Sequence, residues 1–144
     1  MSPINLADVM DELGDRLATI SGLRVHRWPP DSITPPAAIV SYPDSYEFDS
    51  TYGRGMDRVE IPVIVVVGKV SDRAARTRLS RYVAGSGPAS VKYVLERAGE
   101  PAQPYTAIDS LRVTQVDFDV VTIAGTDYLA ATFTVDIAAK GAVQ

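Results

Sequence analysis

The strongest constraint on the fold is the run RVEIPVIVVV at residues 58–67. The odd-numbered residues from 59 to 67 are all apolar and form the main face of a β-strand. On the opposite face Ile64 and Val66 are apolar as well, so we expect both faces of this strand to be covered. Pro62 has no backbone N–H to donate, which predicts that the strand lies at a sheet edge or carries a bulge. The main face follows the two-residue period of a β-strand and consists of Val59, Ile61, Val63, Val65 and Val67.

The composition narrows the class of protein. A chain of 144 residues suits one domain, 1–144. Its net charge of −4 argues against a protein that binds nucleic acid by neutralising phosphates. The absence of cysteine excludes disulfides, thiolate metal sites and a cysteine nucleophile. We expect no signal peptide in the acidic N-terminal region, and the longest apolar run, Val63 to Val67, is too short to span a bilayer.

The remaining periodic segments predict the order α-β-β-β-α-α-β-β. The first helix is capped by Asn5 and ended by Gly22, and strands follow at 23–28 and 37–42 around a proline-rich loop. After the 58–67 strand, a helix capped by Ser71 or Asp72 runs to about residue 83, and another spans 88–98. Strands at 111–123 and 128–138 form a hairpin around Ala124-Gly125-Thr126. We therefore predict an α+β fold, a mostly antiparallel sheet of about five strands with helices packed on it.

Gly68-Lys69 lies between a strand and a helix, as a nucleotide-binding loop does. That loop requires G-x-x-x-x-G-K-[ST], because several backbone N–H groups converge on the phosphates and a hydroxyl holds Mg²⁺. Within this turn only one glycine precedes Lys69, and Val70 occupies the hydroxyl position. The fingerprint G-x-G-x-x-G is missing as well. We interpret the segment as an ordinary strand-to-helix turn with a polar cap.

The sequence offers no catalytic constellation. His26 is the single histidine, and a general base or metal ligand of this type needs partners from elsewhere in the chain. It falls on the strand face opposite Leu23 and Val25, which predicts a surface histidine. The nucleophile elbow G-x-S-x-G does not occur. We expect no enzyme, no catalytic or cofactor-binding residue, no cofactor and no metal.

Acidic residues cluster in the final hairpin. Asp117 and Asp119 lie two positions apart on one strand and so share a face. Asp127 and Asp136 lie on the partner strand. Two carboxylates on one face can hold a hard cation, but an acidic protein also exposes acids on the solvent face of a hairpin. A face that repels passing DNA is a third interpretation.

Two further segments are candidates for contact with a partner. The second helix carries four arginines, which suit a solvated face, an intersubunit salt-bridge surface or, least of all, nucleic-acid contact: Arg73, Arg76, Arg78 and Arg81. The segment PDSYEFDSTYGRGMD at 43–57 combines aromatic residues and Met56 with many polar residues. It is an extended loop that either buries its aromatic side chains against a partner or forms a plain flexible hairpin.

The run GRGMDRVEIPVIVVVGKVSDRAARTRLSRYVAGSGPASVKYVLE at residues 53–96 resembles the tail terminator (tail completion) proteins of phages with long flexible tails, particularly those of actinobacterial hosts. Similar features continue on both sides: an N-terminal helix, a strand and a proline-rich loop before the run, and a long hairpin ending in YLAATFTV at 128–135 after it. The resemblance covers most of the chain, and it is structural rather than chemical.

The resemblance implies an α/β sandwich and a hexameric ring that caps the head-proximal end of the tail tube. Such a ring stops tube growth, presents a surface to the head-tail connector or head-closure protein, and lets genomic DNA pass through its lumen without specific binding. The implied partners are further copies of the chain, the tail tube protein and the connector, with no membrane. The implied location is the virion, at the head-tail junction, and the host cytoplasm during assembly.

A ring needs two different complementary surfaces on each subunit. The edge of the strand that contains Pro62 is one candidate. An acidic lumen repels phosphate and so avoids trapping DNA, and the candidate lumen-facing acids are Asp117, Asp119 and Asp127. The predicted subunit or tube interface consists of Tyr46, Phe48, Tyr52, Arg54, Met56, Asp57 and Arg58.

Three other functions remain open at this point. Another head-tail joining protein, from the neck or the head closure, differs from a terminator only in its position in the particle. A small ligand-binding or enzymatic domain needs a concave pocket with convergent polar groups. A nucleic-acid-binding module is opposed by the net charge of the chain.

Overall fold

The computed structural model describes residues 6–20, 22–26, 36–43, 46–47, 56–71, 73–85, 90–96, 110–123 and 125–140. These residues form one sheet with helices, which confirms the predicted α+β class. The one element beyond the predicted order is the two-residue strand β3. In chain order the elements are α1 (Leu6–Leu17), β1 (Arg24–His26), β2 (Ala37–Val40), β3 (Tyr46–Glu47), β4 (Met56–Lys69), α2 (Arg73–Tyr82), α3 (Val91–Glu96), β5 (Ser110–Ile123) and β6 (Thr126–Lys140).

The sheet has the strand order β1-β2-β4-β6-β5, and β3 pairs with β4 off this path. β1 pairs with β2 in parallel, and the other described pairings are antiparallel, as predicted. The hairpin of β5 and β6 is closed by the predicted turn, where Ile123 pairs with Thr126 and Gly125 has a φ of 80°. The three long strands β4, β6 and β5 therefore form most of the sheet.

Of the two alternatives predicted for the strand that contains Pro62, the sheet edge is wrong and the bulge is present. β4 has β6 along one side, and along the other side it has β2 opposite residues 63–66 and β3 opposite residues 58–59. Pro62 lies between these two paired stretches. Its carbonyl accepts a hydrogen bond of 3.0 Å from the Ser41 N–H, just after β2. The N–H and C=O of one strand residue point to the same side of the strand. An N–H at Pro62 would therefore point towards the end of β2, so its absence leaves the hydrogen bonds between β4 and β6 intact.

β4 also carries a bulge, but not at Pro62. The register with β6 shifts between Val66 and Gly68, several residues further along the strand. The carbonyl of the extra residue, Val67, accepts a hydrogen bond of 3.4 Å from the Arg78 guanidinium of α2. A bulge leaves one residue out of the ladder, and here a helix side chain bonds to that residue instead.

The hydrophobic core lies between the helices and one face of the sheet. α1 packs against β1, β2 and α3, whereas α2 packs against β4 and β6 and α3 against β5. The predicted main apolar face of β4 lies entirely in this core, together with its neighbours Ala131, Phe133, Val135 and Ile137 on β6. The two-residue period of β4 was therefore interpreted correctly.

The opposite face of the sheet has a narrower buried stripe. Ala37, Val66 and Ala130 occupy neighbouring positions on β2, β4 and β6, and all three are buried although they lie outside the core cluster. Ile64, on the same face, is only half-buried. The predicted coverage of both faces is therefore confirmed at Val66 and holds in part at Ile64.

α3 begins later than the sequence suggested. Its N-cap is Ser90, whose hydroxyl accepts a hydrogen bond of 3.1 Å from the Tyr93 N–H. The predicted first-turn residue Pro88 therefore precedes the helix, and it lies outside the described residues. Asp72, one of the two caps proposed for α2, also lies outside them.

Candidate functional site

The Gly68-Lys69 turn belongs to the sheet and not to an open phosphate-binding loop. β4 continues through Lys69, which pairs with Tyr128 on β6. The Val70 N–H then donates a hydrogen bond of 3.2 Å to the carbonyl of Asp127. A backbone donor that a phosphate would need is thus already bonded to the hairpin, as expected for an ordinary strand-to-helix turn.

An open groove of about 590 Å³ lies between α2 and the end of the β5–β6 hairpin. Phe118 forms part of its lining and is 59% exposed, although its cross-strand neighbour Ala131 belongs to the core. Phe118 therefore projects from the helix-covered face of the sheet at a point where α2 does not cover it. Leu79, Val83, Leu129 and Val70 supply further apolar lining.

The charged groups that line this groove are both positive. Arg73 and Arg76 are exposed residues of α2 that line it, and the neutral polar groups come from Thr77 and Ser80. Among the described lining residues there is no acid. The helix itself, RAARTRLSRY, contains four arginines and no acidic residue. The groove therefore combines an apolar floor with a cationic rim.

The four arginines of α2 do not play the same structural part. Arg78 is half-buried and bonds to the Val67 carbonyl, whereas Arg73, Arg76 and Arg81 are exposed. The solvated-face interpretation suits Arg81, while Arg73 and Arg76 line a groove. The sequence pattern alone did not separate these roles.

The predicted interface lies at the opposite end of β4, and the structure describes only part of it. Tyr46 belongs to β3, and Met56 and Asp57 to the start of β4. Phe48, Tyr52 and Arg54 lie outside the described residues, as do the side chains of Tyr46, Met56 and Asp57.

Arg58 is the one member of the predicted interface whose side chain is described. Its guanidinium forms an ion pair with the Asp136 carboxylate of β6, in the same chain. The Asp136 side chain is only 19% exposed, and its Oδ1 atom is buried without a hydrogen-bond partner. An intersubunit role for Arg58 would therefore have to include Asp136.

The candidate lumen-facing acids occupy both faces of the hairpin. Asp117 and Asp119 are exposed and share a face, as predicted, and Asp117 accepts a hydrogen bond of 3.0 Å from the Gln115 amide. Asp127 alternates in phase with Leu129 and so projects to the helix side, where it accepts a bond of 2.6 Å from the Thr122 hydroxyl. Within the described residues, no three acidic or histidine side chains are grouped closely enough to hold a metal ion.

His26 is less exposed than the sequence suggested. It pairs with Ile39 on the face opposite the core and is half-buried. Its Nε2 atom is buried and has no hydrogen-bond partner. The prediction of a surface histidine is therefore too simple, because part of the ring is buried.

The sequence pattern did not reveal the groove. Phe118 and Val120 have the two-residue period of an apolar strand face, but they are 59% and 47% exposed. The signal that could have revealed them is the length of the hairpin compared with the helices, because ten residues of α2 cannot cover both ends of strands of 14 and 15 residues.

Comparisons with known proteins do not assign a family. No family of known proteins matches the chain, and no curated protein matches it either. In the parts of the chain that the structure describes, no helix is both long enough and apolar enough to cross a membrane.

Proposed function

We propose that this protein is a structural virion protein that forms a hexameric ring on the head-proximal end of a phage tail tube. The ring stops tube polymerisation and provides the surface for head attachment. DNA passes through its lumen without specific binding. The subunit is made in the host cytoplasm and ends at the head-tail junction of the virion.

The observation that carries the proposal is the separation of two unlike surfaces on one sheet. The cationic apolar groove lies at the C-terminal end of β4, and the predicted interface lies at its N-terminal end. Phe118 of the groove lies level with Val65, and Arg58 of the predicted interface lies seven residues earlier on β4, so the two surfaces are about 20 Å apart along a strand that rises about 3.3 Å per residue. Unlike surfaces at opposite ends suit head-to-tail contacts, which generate a ring when the rotation between subunits closes.

The fold supports the same proposal. The resemblance to tail terminators implies a sheet with flanking helices, and the run that carries it, residues 53–96, includes β4, α2 and α3. These elements hold the centre of the sheet and two of the helices that cover it. The resembling segment is therefore the structural frame of the subunit and not a peripheral extension.

The exposed acids suit a channel for DNA. Asp117 and Asp119 lie on one face of β5, which is the last strand in the sheet order. A ring that turns this face towards its lumen would present a row of carboxylates from each subunit. Such a lining would repel phosphate and keep DNA from adhering.

The test is native mass spectrometry of the purified protein across a concentration series, with and without purified tail tubes. We expect hexamers, either in solution or only on tubes, and electron micrographs of capped tubes that no longer elongate. A monomer or dimer that ignores tubes and leaves their growth unchanged would contradict the proposal.

A neck or head-closure protein is the alternative that the same geometry allows. Gold labelling of the protein in assembled and headless particles separates the two functions. A terminator labels the end of tails that lack heads, whereas a head-closure protein labels heads that lack tails.

A further inference from the structure

We infer that the groove between α2 and the β5–β6 hairpin receives the 44–52 segment of a neighbouring copy of this chain. The inference rests on the proposed function, because it identifies the contact that repeats around the ring. It assigns a receiving surface that the sequence analysis did not find.

The lining of the groove favours an occupant that carries both apolar and acidic side chains. Phe118 and Val70 are 59% and 44% exposed, so an apolar partner would remove a substantial area from water. Arg73 and Arg76 at its rim favour carboxylates, which guanidinium groups bind through paired hydrogen bonds. A basic or purely polar partner would leave either the charges or the apolar floor uncompensated.

The segment DSYEFDSTY at residues 44–52 has this composition. It contains three acids, three aromatic residues and neither lysine nor arginine. Elsewhere in the chain, no segment of nine residues combines these features. Its charge of −3 opposes the cationic rim, and tyrosine and phenylalanine are typical of the buried centre of protein interfaces.

A subunit cannot fill its own groove with this segment. β3 pairs with Arg58 and Val59, whereas Phe118 lies level with Val65, about 20 Å further along β4 at about 3.3 Å per residue. The eight residues 48–55 must leave Glu47 and return to Met56, so they reach at most about 15 Å. β3 also runs towards the start of β4, away from the groove. The occupant therefore comes from a second copy.

The contact is directional, which fits a ring. Each copy offers one groove and one segment, and the two differ in shape and charge. In a head-to-tail arrangement the segment of each copy enters the groove of the next, and the contact repeats until the assembly closes. Six copies related by one rotation would satisfy every groove.

The absence of cysteine from the chain allows a direct test in the full-length protein. One chain carries Ser80→Cys at the groove rim, and a second carries Ser50→Cys in the segment. The two variants are mixed and oxidised at a protein concentration at which the wild type assembles. If assembly requires tail tubes, the oxidation is done on the tubes. We expect the yield of the disulfide-linked heterodimer to exceed the yield from a control mixture by at least fivefold. The control pairs Ser50→Cys with Thr19→Cys, an exposed position after α1.

Charge variants on one helix test the specificity of the contact. Arg76→Glu in the groove chain should reduce crosslinking at least fivefold, whereas Arg81→Glu, exposed on the same helix but outside the groove lining, should change it less than twofold. A further Asp49→Arg change in the segment chain should restore at least half of the yield lost in Arg76→Glu. Circular dichroism of each variant verifies the fold.

The outcomes separate the inference from the proposed function. Hexamers on tubes without a crosslink above the control would overturn the inference and leave the proposed function standing. A specific crosslink in a protein that neither forms hexamers nor caps tubes would support the inferred contact and contradict the terminator. A disulfide within one chain carrying both cysteines, formed under dilute conditions, would overturn the assignment to a neighbouring copy.

Discussion

The backbone N–H of Val113 donates a hydrogen bond of 2.7 Å to the carboxylate of Glu96. Glu96 is the last residue of α3, and Val113 adjoins the position where the register of β5 shifts before Gln115. The bond therefore joins a short helix to the interrupted part of a strand, where the ladder does not pair every backbone group. The same carboxylate also receives the Lys92 ammonium group.

Glu96→Ala should lower the free energy of unfolding by about 1–3 kcal/mol, because it leaves the Val113 N–H without its charged acceptor. Glu96→Gln should cost less, since the amide oxygen can accept the same bond. Urea denaturation measures both. Lys92→Ala is the control, because it removes only a partly exposed i,i+4 ion pair worth about 0.3–0.5 kcal/mol. Equal losses in Glu96→Ala and Lys92→Ala would contradict the role of the Val113 bond.

Gly125→Ala should destabilise the protein by about 1–2 kcal/mol. The φ of Gly125 is 80°, which an L-residue with a Cβ adopts only with strain, although a Cβ here would meet nothing within 4 Å. Gly85→Ala is the matched control, since the space around Gly85 is equally open and its φ lies outside the left-handed range. Thermal unfolding should therefore rank Gly125→Ala below the wild type and Gly85→Ala near it or above. The opposite ranking would show that the turn tolerates the change.

The alkaline stability of the protein should depend on Tyr82. Burial raises the pKa of the Tyr82 phenol above its ordinary value of 10.0, and the positive charges of Arg78 and Arg81 offset part of that effect. The folded chain therefore holds the phenolic proton more tightly than the unfolded chain does. This stabilisation is complete below the unfolded pKa and is lost as pH rises through the folded pKa.

Tyr82→Phe should accordingly reduce the fall in unfolding free energy that the wild type undergoes above about pH 10. Urea denaturation at several pH values measures the difference. Tyr42→Phe is the control, because the Tyr42 side chain is 58% exposed. If both variants follow the wild-type curve, the burial of Tyr82 does not affect alkaline stability.

Two phenylalanines on the same face of the hairpin should behave in opposite ways. Phe133→Ala removes a side chain that is 2% exposed and should cost about 3–5 kcal/mol of folding stability. Phe118→Ala should cost under about 1 kcal/mol, because most of that side chain is already in water. Size-exclusion chromatography should show lost or weakened assembly for folded Phe118→Ala. A large loss of stability in this variant would make Phe118 a core residue instead.

Truncating the aromatic and methionine side chains of the predicted interface should abolish capping without unfolding the subunit. The variant combines Tyr46→Ala, Phe48→Ala, Tyr52→Ala and Met56→Ala. These residues are chosen because they are large and apolar within an otherwise polar segment. Circular dichroism and tube elongation assays measure fold and function separately. An unfolded variant would show that these residues belong to the core. His26 lies on the face of the sheet opposite the core, and His26→Ala should leave capping unchanged.

The sequence predicted the elements well wherever their periodicity was long. The alternation of β4 and of the hairpin identified their core-facing residues, because a strand places every second side chain on one face whatever its neighbours are. In α1 apolar residues recur at helical spacing in the same way, and the buried ones include Val9, Leu13 and Leu17. Short elements were less predictable: β3 has two residues, and α3 begins at the Ser90 cap rather than at Pro88.

The candidate site depended on information that the sequence does not contain. The strand that contains Pro62 was expected to lie at an edge or to carry a bulge because Pro62 lacks a donor, but whether a missing donor matters depends on which strand ends beside it. Phe118 has the period of an apolar strand face, but its exposure depends on how far α2 extends over the hairpin. Asp127 was grouped with Asp117 and Asp119, but the register of β6 turns it to the other face.

The sequence by itself therefore determined the local structure of this protein: which segments are helices and strands, and which side of each is apolar. These properties follow from backbone geometry and side-chain hydrophobicity, which act over a few residues. The tertiary structure decided which strands flank β4, where the bulge lies and which apolar side chains remain exposed. Those features depend on contacts between residues far apart in the chain, such as Ser41 with Pro62 and, beside the bulge, Gly68 with Leu129, and no local pattern encodes them.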